Sequence, residues 1–518
     1  MLTLMDWFCG AGGSSQGAHA VPGVEVTRAA NHWDTAIQSH ALNFPAADHY
    51  KGDIRTAPVE RWPVADIFWA SPECPKWSRA RGKRRDFHNT RQGELFALPD
   101  AGRSEEDERS RALMQEVPQY LEGVRARGGR VLAGVVENVI DCREWDQWDA
   151  WIGRLHALGY QTHVIALNSM HARPMRTPAA PQSRDRLYVA YWHRSLRRRP
   201  DFDKWLRPTA YCPTCDRTVT AIQVFKNPRK DMGRYRQQYL YRCPHTTCRN
   251  AVVEPTVLPA AHAIDWSIPG KRIGDRTEPL ADATMDRIRT GIARYWGPLL
   301  TPAGGTWRND ASPITAPMPT RTTRENDGLA VPPMLVPVEG RDGKTAASAA
   351  DPMRTQTARN ETGLAFPPET LPAFIAELRG GSSDARSVAE ALATVTASGN
   401  HHGLVTPPGP AETLLVPYYG TGTARPAALP VGALTTRDRY ALAAGQDGAS
   451  VDVDDVLFRM LEPHEIGRAM AFTTGYQVVG NKRQKVRQYG NAVTPPVAEV
   501  LVSALVEAIT GTELEAAA

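Results

Sequence analysis

The chain has 518 residues, 42% of them hydrophobic and 23% charged, with 61 basic against 56 acidic side chains and a formal net charge of +5. Those proportions exclude a disordered or fibrous polymer, and no run reaches the roughly 18 apolar residues of a membrane-spanning helix. Seven cysteines are few for this length and odd in number, which excludes a disulfide scaffold and leaves thiols or metal ligands in a reducing compartment.

Residues 1–70 alternate strand-like and helical runs. LTLMDWF reads as a strand, GAGGSS as a glycine-rich turn and SSQGAHAV as the opening of a helix. VEVTRAAN is a second strand, WDTAIQSHALNF has helical spacing, and ADIFWAS is a third short apolar strand. Such alternation predicts an α/β fold with a parallel sheet covered on both faces. The pattern resumes in VLAGVVENV, a continuous apolar run that suits a strand buried on both faces. WDQWDAWIGRLHALGY is helical in period, and RDRLYVAYW is strand-like. The start, MLTLMDWF, has no basic segment ahead of an apolar one, so no secretory leader and a cytoplasmic location are expected.

Regularity stops near residue 195. Residues 205–255 hold four of the seven cysteines: Cys212 and Cys215, then Cys243 and Cys248. Two close cysteine pairs separated by strand-like VTAIQVF and YRQQYLYRC form a tetrahedral zinc site well, so a structural zinc ribbon is expected. His245 is an alternative ligand. Basic residues from Lys226 to Arg242 interleave with Tyr235, Tyr239 and Tyr241, a pattern suited to phosphate contact. Cys9 and Cys142 lie among no metal-ligand partners and are read as structural.

From about 300 to 450 the chain is rich in Pro, Gly, Thr and Ala, with a weak repeat. PMPTRTTRENDGLAVPP, PMRTQTARNETGLAFPP, ALATVTASGNHHGLVTPP and VGALTTRDRYALA place Gly328, Gly363, Gly403 and Ala441 at matching positions, with a step of about 35–40 residues. Each copy offers a threonine-rich strand, a polar turn and a short apolar strand. Helical spacing returns through Ile466, Met470 and Phe472, and the chain ends in a turn and an apolar helix.

Two constellations carry chemistry. Asp6-Trp7-Phe8-Cys9-Gly10-Ala11-Gly12-Gly13 follows the first strand, where an α/β sheet binds a nucleotide-like cofactor. The loop has neither the dinucleotide glycine spacing nor a phosphate-loop lysine. Asn31-His32-Trp33-Asp34 ends the second strand, and Gly52-Asp53-Ile54 precedes the third apolar run. Trp33 is a candidate for stacking on a base, and an acidic side chain at such a place can accept from an adenine amine or a ribose hydroxyl. The second constellation is Cys74, in Ser71-Pro72-Glu73-Cys74-Pro75, with six basic residues from Lys76 to Arg85 that favour a thiolate. Glu137, ending a buried strand, is costly there unless paired or functional.

The ordered set of motifs resembles the DNA (cytosine-5)-methyltransferase family. The residues that carry the likeness are Asp6–Gly13, Asn31–Asp34, Gly52–Ile54, the Cys74 loop and Glu137-Asn138-Val139. Further along are Gln182-Ser183-Arg184-Asp185-Arg186, Arg459–Glu465 and Gly490-Asn491-Ala492-Val493. The likeness covers roughly 1–195 and 455–518. It implies a Rossmann-like methyltransferase sheet with an inserted, mainly β target recognition region. It also implies methyl transfer from S-adenosylmethionine to C5 of a flipped-out cytosine in double-stranded DNA. Cys74 is then the nucleophile, Glu137 the group that holds the base, and Arg184 and Arg186 contact the cytosine or its phosphate and steady the loop. The cofactor set it implies is Asp6, Phe8, Gly10, Gly12, Gly13, His32, Trp33, Asp53, Ile54, Asn491 and Val493. His32 stands where the family usually has glutamate, Glu73 where it has proline, and Pro75 where it has glutamine. Alternatives are transfer of a non-methyl group from a modified donor, or methylation of cytosine in RNA. The expected organisation is a first catalytic part over 1–198, the zinc ribbon over 199–260, a recognition region with β-repeats over 261–450 and catalytic completion over 451–518. A monomer is expected, with a cognate restriction nuclease as a candidate partner.

Overall fold

The computed structural model describes residues 1–72, 105–258, 271–280 and 461–517 and scattered positions between 262 and 285. Between 299 and 460 it describes the strands, as backbone apart from the Arg459 side chain. Eight strands come first: β1 (Leu2–Trp7), β2 (Val24–Asn31), β3 (Asp48–Lys51), β4 (Ile67–Ala70), β5 (Ala133–Asn138), β6 (Tyr160–Asn168), the short β7 (Gln182–Ser183) and β8 (Asp185–His193). Seven of them form one sheet in the order β3-β2-β1-β4-β5-β8-β6. Strands β1 to β5 pair in parallel, whereas β8 runs antiparallel between β5 and β6. The all-parallel expectation therefore fails at one strand. The connection from β6 to β8 has no crossover helix, and the Ser169 amide donates to the Arg184 carbonyl at 2.9 Å, closing a long hairpin. Without a crossover the chain must return antiparallel.

The strands are apolar on both sides because both sides are buried. Met5, Trp7, Phe68, Val136, Val189 and Tyr191 face one core cluster, while Leu4, Ile67, Trp69, Val135, Ala190 and Trp192 face the other. The first cluster is closed by α3 (Glu105–Ala126) and α4 (Trp148–Ala157), through Val117, Leu121, Trp148 and Trp151. The second is closed by α1 (Gly13–Ala20) and the C-terminal helix, through Ala18, Val497, Leu501 and Leu505. The short helix α2 (Asp34–Asn43) follows β2, and α5 (Phe202–Leu206) follows β8. Lys204 and Trp205 of α5 both bond Glu507 in the C-terminal helix, at 2.7 and 2.9 Å.

The last segment supplies α6 (Pro463–Ala469), α7 (Lys482–Asn491) and α8 (Pro495–Thr510). Helix α6 ends before Met470, short of the expected Phe472, because Ala471 takes a left-handed φ of 62°. Lys482–Thr510 is long enough to suit a membrane span, and its most apolar 18-residue window has a mean hydropathy of 1.6, but 89% of that window is buried inside the protein. It is a core element.

The insert opens with β9 (Thr209–Cys212) antiparallel to β10 (Arg217–Thr220). A three-stranded sheet follows, of β11 (Ile222–Phe225), β12 (Tyr239–Arg242) and β13 (Val252–Val253). Farther on, each Gly-Leu or Ala-Leu segment of the four sequence copies is a strand: Asp327–Ala330, Thr362–Ala365, His402–Thr406 and Tyr440–Ala443. The second and third copies pair in parallel at Gly363 and Gly403, and their threonine-bearing strands Gln356–Arg359 and Leu392–Gly399 pair in parallel too. The third also pairs antiparallel with Leu457–Met460, which leads into α6.

Candidate active site

The loop after β1 is built on positive φ angles: 60° at Phe8, 53° at Gly10 and 91° at Gly12. A phenylalanine in that region is strained, so the loop is held by its surroundings. Asp6 is fully buried at its base, and the hydroxyls of Ser14 and Ser15 both donate to Oδ2 at 2.6 Å. Its Oδ1 has no partner among the described residues. Burial pushes the Asp6 carboxyl up to about 7, against the pull of the two serines. Behind Ser15 lie two histidines in series: Ser15 Oγ to His40 Nε2 at 2.9 Å, and His40 Nδ1 to His49 Nε2 at 2.8 Å. Sequence reasoning missed this chain; the Ser-Ser that follows the glycines was its only local signal.

Gly13 and Gly17 let the C-terminal segment close against the loop. A Cβ on Gly13 would lie 1.9 Å from the Val493 carbonyl, and one on Gly17 2.1 Å from that of Pro495. The Tyr476 hydroxyl adds a bond to the Ala11 carbonyl at 2.5 Å. Gly10 differs: a Cβ there would meet nothing within 4 Å among the described residues.

Around this loop, His32 is exposed and Trp33 half-buried, with the Arg487 guanidinium 4.6 Å from the Trp33 ring centroid. One face of the proposed stacking residue is thus already covered. Asp53 caps the turn that begins at Ile54 and accepts from Arg55 Nε at 3.0 Å, while Ile54 is buried. Asn491 is exposed at the end of α7.

The second cluster lies at the carboxyl end of β5, next to that of β4. Glu137 is buried and pairs with Arg186, Oε1 to Nε, at 3.1 Å. Burial raises its carboxyl above the ordinary range, although Arg186, Arg184 and the Ser71 side chain pull it down. Asn138 Nδ2 donates to the Pro72 carbonyl at 3.4 Å. Cys74, Glu73, Pro75 and the run Arg79–Arg85 lie outside the described residues. The segment that leads to them, Ser71-Pro72, sits against Glu137 and Asn138.

The two arginines of the Gln182–Arg186 motif do different things. Arg186 reaches Glu137, whereas Arg184 is buried and donates to the carbonyls of Gly490 and Ala492 at 3.2 and 3.0 Å. Arg184 thereby ties the turn between α7 and α8 to the sheet. Glu499 makes a comparable tie, accepting from the amides of Met175, Arg176 and Thr177 at 2.7–2.9 Å.

In the insert, the sulfur atoms of Cys212, Cys215, Cys243 and Cys248 all lie within 4.8 Å of one another, with Cys215 and Cys243 at 3.9 Å. A tetrahedral zinc with Zn–S of about 2.3 Å sets its sulfurs about 3.8 Å apart. Left-handed residues follow both pairs, Asp216 after the first and Arg249 and Asn250 after the second. His245 is not part of the cluster. Cys9 and Cys142 are buried away from it.

Residues 2–98 and 414–507 match the family model of the C-5 cytosine-specific DNA methylases. These two segments are similar to that methylase family. They hold the cofactor loop, the Cys74 segment and the closing helices, and their described parts near both ends of the chain pack into one core. No curated protein matches the chain. Among solved structures, it is similar to a DNMT2 mutant of Spodoptera frugiperda, at 14% identity and a TM-score of 0.44, covering 98% of this chain and 100% of that one. It is similar to the Entamoeba histolytica methyltransferase EhMeth at 11% identity and 0.42, covering 98% of each. A putative DNA modification methyltransferase encoded in an E. coli prophage is 14% identical, with a TM-score of 0.39, over 98% of this chain and 99% of that one. The match to that family model implies cytosine methylation at C5 with S-adenosylmethionine.

Proposed function

We propose that the protein methylates C5 of a flipped-out cytosine in double-stranded DNA through a covalent adduct between Cys74 and C6. The observation that supports it most is the Glu137–Arg186 pair at the carboxyl end of β5, beside the β4 end from which the Cys74 segment departs. Cytosine C5 is a poor nucleophile. Addition of the Cys74 thiolate to C6 makes C5 enamine-like, which splits one hard step into two easier ones. Glu137, with its carboxyl pushed up by burial, can hold a proton toward N3 while negative charge develops on the ring. Arg186 steadies that carboxyl and adds positive charge at the pocket. A paired base cannot reach a group at the sheet edge, so the base leaves the stack.

The cofactor loop fits a nucleoside-like group: among the described residues nothing fills the space where a Gly10 side chain would stand, and none partners Asp6 Oδ1. Phe8, Gly10, Gly12, Gly13, His32, Trp33, Asp53, Ile54, Asn491 and Val493 would hold S-adenosylmethionine, with Asp6 supporting the loop from beneath. The cofactor supplies an electrophilic methyl group. Cys212, Cys215, Cys243 and Cys248 would hold a structural zinc, and their sulfur separations fit one.

The test is trapping on DNA that carries 5-fluorocytosine, where fluorine at C5 blocks release of the enzyme. The expected result is a denaturation-resistant protein–DNA complex that needs both S-adenosylmethionine and Cys74. A complex that persists in Cys74→Ser, or none with the wild-type protein, would overturn the proposal.

A further inference from the structure

We propose that the cysteine ribbon positions the base-binding pair Glu137–Arg186, acting through Asp185; this rests on the reading of that pair given above. Asp185 begins β8 between Arg184 and Arg186, and Arg186 Nη1 donates to its carbonyl at 3.0 Å. Its carboxylate turns to the insert. Oδ1 accepts from the Tyr235 amide at 3.1 Å and lies 3.5 Å from the Tyr239 hydroxyl. The ribbon also holds the chain just beyond Glu137, where Arg234 pairs with Asp141 at 2.7 Å and Asp231 with Arg143 at 3.0 Å. A fourth tie runs from Gln223 to the Ala166 carbonyl of β6 at 2.9 Å.

The contact is also packed. His171, in the hairpin between β6 and β8, is buried with Tyr235 and Tyr241 edge-on at 4.4 and 4.9 Å. Its ring nitrogens have no hydrogen-bond partner among the described residues, so the ring serves as apolar filler between the two parts. Tyr239 and Tyr241 lie on β12, which runs directly into Cys243, and the Cys243 amide bonds the Ala251 carbonyl of the adjoining turn at 2.9 Å. The cysteine cluster thus sets where the tyrosines stand, and the tyrosines set where Asp185 and its neighbour Arg186 stand. Misplacing a reacting group by about 1 Å costs up to about a hundredfold in rate.

Two substitutions and one chelation test this. Asp185→Ala removes the acceptor, while Asp185→Asn keeps an oxygen for the Tyr235 amide and loses the charge. Single-turnover methyl transfer to unmethylated genomic DNA is expected to fall about tenfold in Asp185→Ala and to recover most of its rate in Asp185→Asn. S-adenosylhomocysteine affinity should stay within about twofold in both, because the Asp185 carboxylate faces the insert and neither Asp185 nor Arg186 belongs to the cofactor set. Hydrogen exchange is the readout independent of activity. Peptides covering 139–144 and 183–188 should exchange faster in Asp185→Ala and after zinc removal by a chelator, with residues 2–20 unchanged. A wild-type rate in Asp185→Ala, or an Asn variant as slow as the Ala variant, would overturn the role of Asp185. Unchanged exchange in both segments after zinc removal would overturn the role of the ribbon. If the wild-type protein transfers no methyl group, the function reading fails, and the exchange result still decides the coupling.

Discussion

Glu137 and Asp6 are both buried carboxyls raised by desolvation, but they are placed for different work. Glu137 faces Arg186 at a strand end, where a base can be held. Glu137→Gln should lower single-turnover methyl transfer by about a hundredfold, the scale of a positioned acid, with S-adenosylhomocysteine affinity unchanged. An equal loss of cofactor affinity would place Glu137 in the wrong site. Asp6 underlies the cofactor loop and makes a pH prediction. Its folded value of about 7 lies above the ordinary 3.8, so the folded state holds the proton more tightly. Its contribution to stability is complete below about pH 3.8 and is lost as pH rises through about 7. His40 works the other way: its folded value of about 3 makes stability fall as pH drops below about 6.5. Comparison with Asp6→Asn isolates the first effect. The melting temperature of the variant relative to the wild type should climb from about pH 4 to pH 7 and then level off. A difference independent of pH would contradict the assignment.

At the scale of elements, the sequence's apolar period marked β1, β2, β4 and β5 and the helices α1 and α2, but not α3, because strands buried on both faces are apolar throughout while the polar start of α3 hides its period. The direction of β8 was not legible. A strand's composition carries no sign of its orientation, which the helix-free connection closed between Ser169 and Arg184 decides instead. The end of α6 and the carbonyl partners of Arg184 were hidden for a similar reason. Each depends on a backbone angle or a carbonyl that arrives from far along the chain. Gly13 and Gly17 illustrate the converse. Gly13 reads as a turn residue and Gly17 as part of the opening helix, yet at Gly17 glycine is required by the close approach of α8. Gly17→Ala should destabilise the fold by about 1–3 kcal/mol in denaturant unfolding, as overpacking does. An unchanged midpoint would mean that the α1–α8 contact is looser than described. In the ribbon, the four cysteines were legible from spacing alone. Metal analysis should find about one zinc per chain in the wild type and a loss in Cys243→Ser. A metal-free wild type would remove the zinc assignment while leaving the fold of β9 to β13 to its tyrosine packing.

Across the whole molecule, two segments far apart in sequence make one catalytic core, and the insert between them touches that core at several places. The ribbon docks beside the Glu137–Arg186 pair, and the third repeat strand pairs with the strand that leads into α6. Repeat spacing in the sequence located the strands of the insert but not their partners, since pairing follows the three-dimensional register and not the period. The eight ordered motifs carried the cofactor loop and the pocket. They gave Asp185 no task and did not include the serine–histidine chain, because those side chains act through neighbours brought in by the fold. The central claim is that this chain modifies cytosine through Cys74, and nucleoside mass spectrometry tests it most directly. The protein and its Cys74→Ala variant are expressed in a host that lacks cytosine methylation, and total DNA and RNA are digested. The account predicts 5-methyldeoxycytidine in DNA with the wild type and none with the variant. Methylcytidine confined to RNA, a deoxycytidine adduct of another mass, or 5-methyldeoxycytidine that persists without Cys74 would contradict it.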